Sequence, residues 1–160
     1  MLTKRIIVAV AVVAGAIGWY AFRPERLFID STVNESLAAA APTADAPATL
    51  AQGMFHSNAH ETTGSATILS LADGRRVLRL TDFSTSNGPD VRVYLVAAAD
   101  VTDDETVKTA GFIELGPMKG NKGDQNYEIP ATVDLSAYRT VTIWCKRFSV
   151  NFGSAPLSTT

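Results

Sequence analysis

Cysteine is almost missing from this sequence, with Cys145 the only one in 160 residues. No intramolecular disulfide can close, no CxxC redox pair exists, and no cysteine-based zinc framework can be built. Histidine is nearly as scarce: His56 and His60 are the only two. Net positive charge is lacking as well. The chain has 14 basic and 16 acidic residues, and once the first 26 positions are set aside the remainder stands at −5. An acidic domain argues against nucleic acid as a partner, because that binding depends on neutralising phosphates with Lys and Arg. Hydrolase signatures are absent too, since the chain holds neither GxSxG nor HExxH.

What is present begins with an uncharged run from Ile6 to Phe22, IIVAVAVVAGAIGWYAF, preceded by Lys4 and Arg5 and followed by Arg23 and Arg26. Its 17 residues would span roughly 26 Å as a helix. The expectation is a single transmembrane helix contacting the lipid bilayer through residues 6–22, with Trp19 and Tyr20 near an interface. The alternative is a signal peptide cleaved near Ala14-Gly15-Ala16. The short basic N-terminus favours a cytoplasmic tail, which would put the remainder outside the cytoplasm, periplasmic or extracellular, on a cytoplasmic-membrane anchor.

Residues 1–26 thus read as anchor and 27–52 as a stalk, its second half built almost wholly of Ala, Pro and Thr. From Gly53 the pattern switches to short apolar alternations broken by Gly, Asn, Asp and Pro, the signature of strands and turns. About eight strands are expected, at 54–56, 65–71, 75–81, 91–97, 111–115, 125–129, 140–145 and 148–152. Asp73-Gly74 reads as a two-residue hairpin turn with positive φ at both centres. The acidic stretch Ala98–Lys108 reads as a connection, with room for a helical turn. The fold expected over residues 53–157 is all-β, an antiparallel sandwich or partly closed barrel, followed by a short tail at 158–160.

Four strings are more specific than alternation requires: HETTGSATI, RVLRLTDFSTSNGPDVRVYL, LGPMKGNKGDQNYEIP and VTIWCKRFSVNFGSAPL. Together they resemble the DM-thirteen domain, a family described as an electron-transfer module, and FIDSTVNE is similar to the segment of its bacterial membrane-anchored members. The resemblance covers about residues 53–157. It implies a redox role for one cysteine, acting as a bare thiol or as ligand to a haem-like group, and Cys145 is the matching residue. It also implies a position commonly filled by His, matched here by His60. The cofactor itself stays unknown, with haem or copper as candidates; the C-x-x-C-H haem attachment motif is absent.

The residues themselves leave alternatives open. In Val141-Thr142-Ile143-Trp144-Cys145, alternation puts Cys145 on the face of Val141 and Ile143, where it reads as a small buried hydrophobe. A reactive thiolate needs positive charge or a metal beside it, and Lys146 and Arg147 would supply charge if the strand turns there. A bend there, either a bulge or a tight turn, is expected because Phe148, Val150 and Phe152 fall out of phase with the preceding strand. A blue-type copper site would draw on Cys145, His60 and His56. Asn87-Gly88-Pro89-Asp90 and the stretch Asn121–Asn126 read as turns, with a calcium site drawing on Asp82, Asp90, Asp124 or Asn126 as the rival. Tyr94, Tyr127, Tyr138 and Trp144 read as core aromatics or as an electron path. Two functions follow. One is a redox module working through Cys145 with an electron-transfer partner, and the other a binding or scaffold module at the cell surface with an inert buried cysteine and an unidentified protein partner. Neither reading requires a stand-alone enzyme.

Overall fold

The computed structural model describes residues 2–22, 29–37 and 47–159. Helix α1 (Leu2–Phe22) is followed by a ten-stranded sandwich rather than the eight strands expected. In one sheet the order is β10 (Ser158–Thr159), β1 (Ala48–Met54), β3 (Thr63–Ser70), β4 (Arg76–Ser84), β7 (Lys122–Ile129). In the other it is β2 (His56–Ser57), β9 (Val150–Pro156), β8 (Thr140–Cys145), β5 (Val91–Val96), β6 (Phe112–Pro117). Every strand pairing is antiparallel.

The helix forms from Ala, Val and Ile with no breaker until Pro24, but the single-pass anchor does not stand. Among the described residues no helix is long and apolar enough to cross a membrane. Physically, the uncharged part falls short of the roughly 30 Å hydrocarbon core, which takes about 20 apolar residues, and α1 takes Lys4 and Arg5 into its own first turns. The single-pass location in the cytoplasmic membrane falls with the anchor.

Strand alternation sorts the side chains into two cores. Between the sheets lie Ile68, Leu78, Leu80, Phe83, Val93, Leu95, Val141, Ile143 and Cys145, all at or near zero exposure. Each large aliphatic so buried stabilises the fold by about 1.5–3 kcal/mol before entropy is counted. A second cluster of Tyr94, Val96, Val101, Val107 and Trp144 covers the outer face of the second sheet. It exists because Ala98–Lys108 does more than connect. Asp103 caps α2 (Asp104–Ala110) by accepting from the Thr106 N–H at 2.7 Å, and the helix lays Val107 onto the sheet. Strands β5 and β8 are therefore covered on both faces.

Other boundaries moved for local reasons. The β3–β4 connection keeps Gly74 at φ +83 but has no positive φ at Asp73. Its bonds, Gly74 N–H to the Leu71 carbonyl and Leu71 N–H to that of Arg75, give a type I turn closed by a left-handed glycine rather than the two-residue turn expected. The last long strand starts at Val150 because Lys146–Ser149 is the hairpin turn, which leaves Phe148 exposed.

Residues 29–37 form a strap along the free edge of β7. Thr32 pairs with Lys122 in parallel, Val33 N–H donates to the Lys122 carbonyl (3.0 Å), and Glu35 N–H donates to that of Asp124 (2.9 Å). Lys122 grips Asp30 at 2.5 Å and Lys119 grips Glu35 at 2.8 Å. Contact this close requires glycine. A Cβ on Gly120 would stand 2.4 Å from the Ser31 carbonyl oxygen, and one on Gly123 would stand 2.2 Å from that of Val33.

Candidate functional site

Cys145 is the last residue of β8 and is free, buried and at zero exposure. Its ladder partners are Val91, the first residue of β5, and Val150, the first of β9. Its neighbours Val141 and Ile143 share the inter-sheet core with it, as alternation required. The chain does turn after it, and Lys146 N–H donates to the Asp90 carbonyl at 2.8 Å. The turn does not bring the Lys146 charge to the sulfur, however, because Lys146 Nζ reaches outward to Glu114 at 3.2 Å.

At this end of the sandwich the Asn87–Asp90 turn meets Pro117–Gly120, whereas Lys122–Asn126, read as a turn, belongs to strand β7. Asn87–Val91, Pro117–Gly120 and strap residues Ile29 and Ser31 line a cleft of about 590 Å³. Val91 belongs to that wall and is also the ladder partner of Cys145. Met118 N–H donates to the Val91 carbonyl at 2.9 Å, and the Asn87 side chain donates to the Ile29 carbonyl at 2.7 Å, which ties the strap to the cleft rim. Gly88 packs where a Cβ would lie 2.7 Å from Val91 and 3.1 Å from the Phe152 ring.

The histidines go to different places. The His60 ring lies on the Phe152 ring with centroids 3.9 Å apart, at the rim of the core that holds Cys145. His56 pairs with Asp100 at 2.9 Å. The donor set thus does not fit copper or haem in this arrangement: the sulfur is enclosed by apolar neighbours, one imidazole is tilted against the Phe152 ring and the other is paired with Asp100. Among the described residues no group of three or more His, Cys, Asp or Glu is placed to hold a metal ion. Of the residues considered for calcium, three are held by arginines and the fourth, Asp82, donates its N–H to Asp124. Asp124 and Asn126 both bond Arg79, while Asp90 bonds Arg92 at 2.6 Å.

Sequence reasoning missed three polar groups. Gln125, fully buried, accepts from the Tyr127 hydroxyl at 2.7 Å and donates to the Gly120 carbonyl at 2.7 Å, fixing the loop behind the cleft. Burial pushes the Tyr127 phenol up to about 12. Thr62 and Thr85 pair their hydroxyls at 2.9 Å, and Asn151, Ser154 and Thr142 form a buried chain under α2. Gln125 is a polar side chain at an inward-facing strand position, which is the signal that would have found it; the others depend on loops or on the covering by α2.

With this geometry in view, the family model described as electron transfer DM13 matches residues 54–157, more than half of the chain. The chain belongs to the DM13 family. No curated protein and no solved structure matches it. The matched DM13 region runs from the end of β1 to the residue before β10, and so takes in Cys145, both clefted loops and all of the inter-sheet core except its β1 members Leu50 and Ala51.

Proposed function

We propose that this DM13 domain carries electrons through the Cys145 thiol, which exchanges them with partners that do not touch the sulfur. The family description supports a redox role, and the carrying observation is the position of Cys145, enclosed yet the ladder partner of Val91 in the cleft wall. On oxidation the thiol gives one electron to a one-electron acceptor, its proton leaves to water when the Lys146–Ser149 hairpin opens, and reduction returns both. The enclosure serves this use, because a buried thiol is shielded from the disulfides and oxygen adducts that consume exposed ones. The test is voltammetry of the full chain beside Cys145→Ser. A reversible wave present in the wild type and absent from the folded variant is expected; a wave that persists in the variant, or none in the wild type, overturns the proposal.

A second reading is a binding module with Cys145 as packing, favoured by the same zero exposure and by the cleft formed from the Asn87–Asp90 and Pro117–Gly120 loops. A wild type without a wave, whose thiol stays unreactive toward a thiol reagent until denaturant unfolds it, would select this reading.

A further inference from the structure

The outer face of the second sheet carries an arrangement that the thiol does not use. Phe112 opens the edge strand β6 and is 44% exposed. Its ring lies flat on Tyr94, with centroids 4.3 Å apart and planes 2° from parallel. Tyr94 faces Trp144 on its other side at 6.4 Å and 27°. Tyr94 and Trp144 are 1% and 6% exposed, so the three rings lead from solvent to the residue that precedes Cys145.

The phenol at the centre of this stack has a nearby base. Glu114 is directly opposite Tyr94 in the β5–β6 register. It is fixed by Arg92 at 2.8 Å and by Lys146 at 3.2 Å. Burial first, then the charge of Glu114, push the phenol up to about 12. The resting side chain therefore keeps its proton at neutral pH. Oxidation reverses that preference, because a phenol radical cation is a strong acid and a carboxylate within hydrogen-bonding reach takes the proton.

We propose that Tyr94 is a second redox-active side chain, giving one electron outward through Phe112 to a one-electron acceptor docked over that exposed ring and its O–H proton to Glu114. The vacancy is refilled by one electron from a one-electron donor partner, arriving through Trp144, and Glu114 returns the proton. This deepens the electron-transfer reading of the domain without depending on Cys145 as the store. Phe112 acts as a bridge, since its ring is harder to oxidise than the phenol or indole. The partner surface that fits is apolar at its redox edge, to match Phe112.

The test uses the full chain carrying Trp19→Phe and Tyr20→Phe, because those exposed rings on α1 would react first with a diffusing oxidant. Photogenerated tris-bipyridine ruthenium(III) is the acceptor, and freeze-quenched electron paramagnetic resonance reads the radical. A tyrosyl signal is expected that Tyr94→Phe abolishes and that Tyr127→Phe, Tyr138→Phe and Cys145→Ser leave in place. Glu114→Gln should slow its appearance by about 100-fold, the low end of what a positioned proton acceptor supplies, and Phe112→Leu should slow it severalfold. A signal that survives Tyr94→Phe, or that forms at the wild-type rate in both Glu114→Gln and Phe112→Leu, overturns the proposal. Tyr94→Phe keeps the stacked ring, and Glu114→Gln leaves the core untouched, so one of the pair reads out even if the other fails to fold. Loss of the voltammetric wave in Cys145→Ser with the Tyr94 radical intact keeps both readings. Persistence of that wave with the radical intact removes the thiol reading alone.

Discussion

Gly123→Ala is expected to release the strap, and the structure sets the magnitude. Gly123 has φ +91, where a Cβ costs about 1–2 kcal/mol by itself. The same Cβ would lie 2.2 Å from the Val33 carbonyl oxygen and 2.6 Å from Asn34 Oδ1, so the strap must move away. Moving it breaks the Val33-to-Lys122 and Glu35-to-Asp124 backbone bonds, worth about 1 kcal/mol each. The total is about 3–4 kcal/mol, a large part of the 5–15 kcal/mol typical of a domain. Gly74→Ala is the control, because φ is +83 there but nothing lies within 4 Å of the added carbon, leaving only the backbone cost of about 1–2 kcal/mol. Urea unfolding measures the difference, and hydrogen exchange at the Val33 and Glu35 amides locates it. Equal destabilisation by the two substitutions, or undiminished protection at those amides, would refute the steric account of the strap.

Acid should loosen the same contact. Asp30 is held below its ordinary 3.8 by bonds from Lys122 and Asn121, and Glu35 is held below 4.5, where bonds from Lys119 and the Asn126 N–H outweigh its desolvation. Both folded-state values lie under the unfolded ones, so the strap's contribution is present above those pH values and is lost as pH falls through the lowered ones; amide exchange against pH checks this. Alkali acts on the two buried phenols. Tyr94 and Tyr127 are raised from 10.0 to about 12, so stability is full below pH 10 and falls as pH rises toward 12, followed by denaturant midpoint. Cys145→Ala should cost about 1–2 kcal/mol as a small cavity, and Cys145→Ser more, because a hydroxyl would enter an apolar enclosure; an equal cost in urea titrations would mean that the pocket offers the serine a partner.

Local periodicity made much of the sandwich legible. The face shared by Val141, Ile143 and Cys145 follows from the two-residue period of a strand, and the phase break before Phe148 called for a bulge or a turn after Cys145, of which the structure has the turn. What failed depended on tertiary contact. Ala48–Gln52 looks like linker by composition, yet it pairs with β3 once Ala51 faces the core. Gly123 read as a turn glycine, whereas its small size and that of Gly120 serve a strap some 90 residues away in sequence. For the site, the placing of Cys145 on the core face was readable, whereas the meeting of Asn87–Asp90 with Pro117–Gly120 was not. The seat of His60 on Phe152 was not, because no spacing rule relates those two positions.

The double covering of β8 limits what can happen at its last residue. With no solvent at the sulfur and packed side chains on either face of the strand, a reagent that adds atoms to Cys145 must wait for the hairpin at Lys146–Ser149 to open. At saturating reagent the modification rate should then stop depending on concentration and equal the opening rate of that hairpin. The lone thiol thereby becomes an internal clock for the breathing of the sandwich end, readable with any thiol-specific dye and no engineered label.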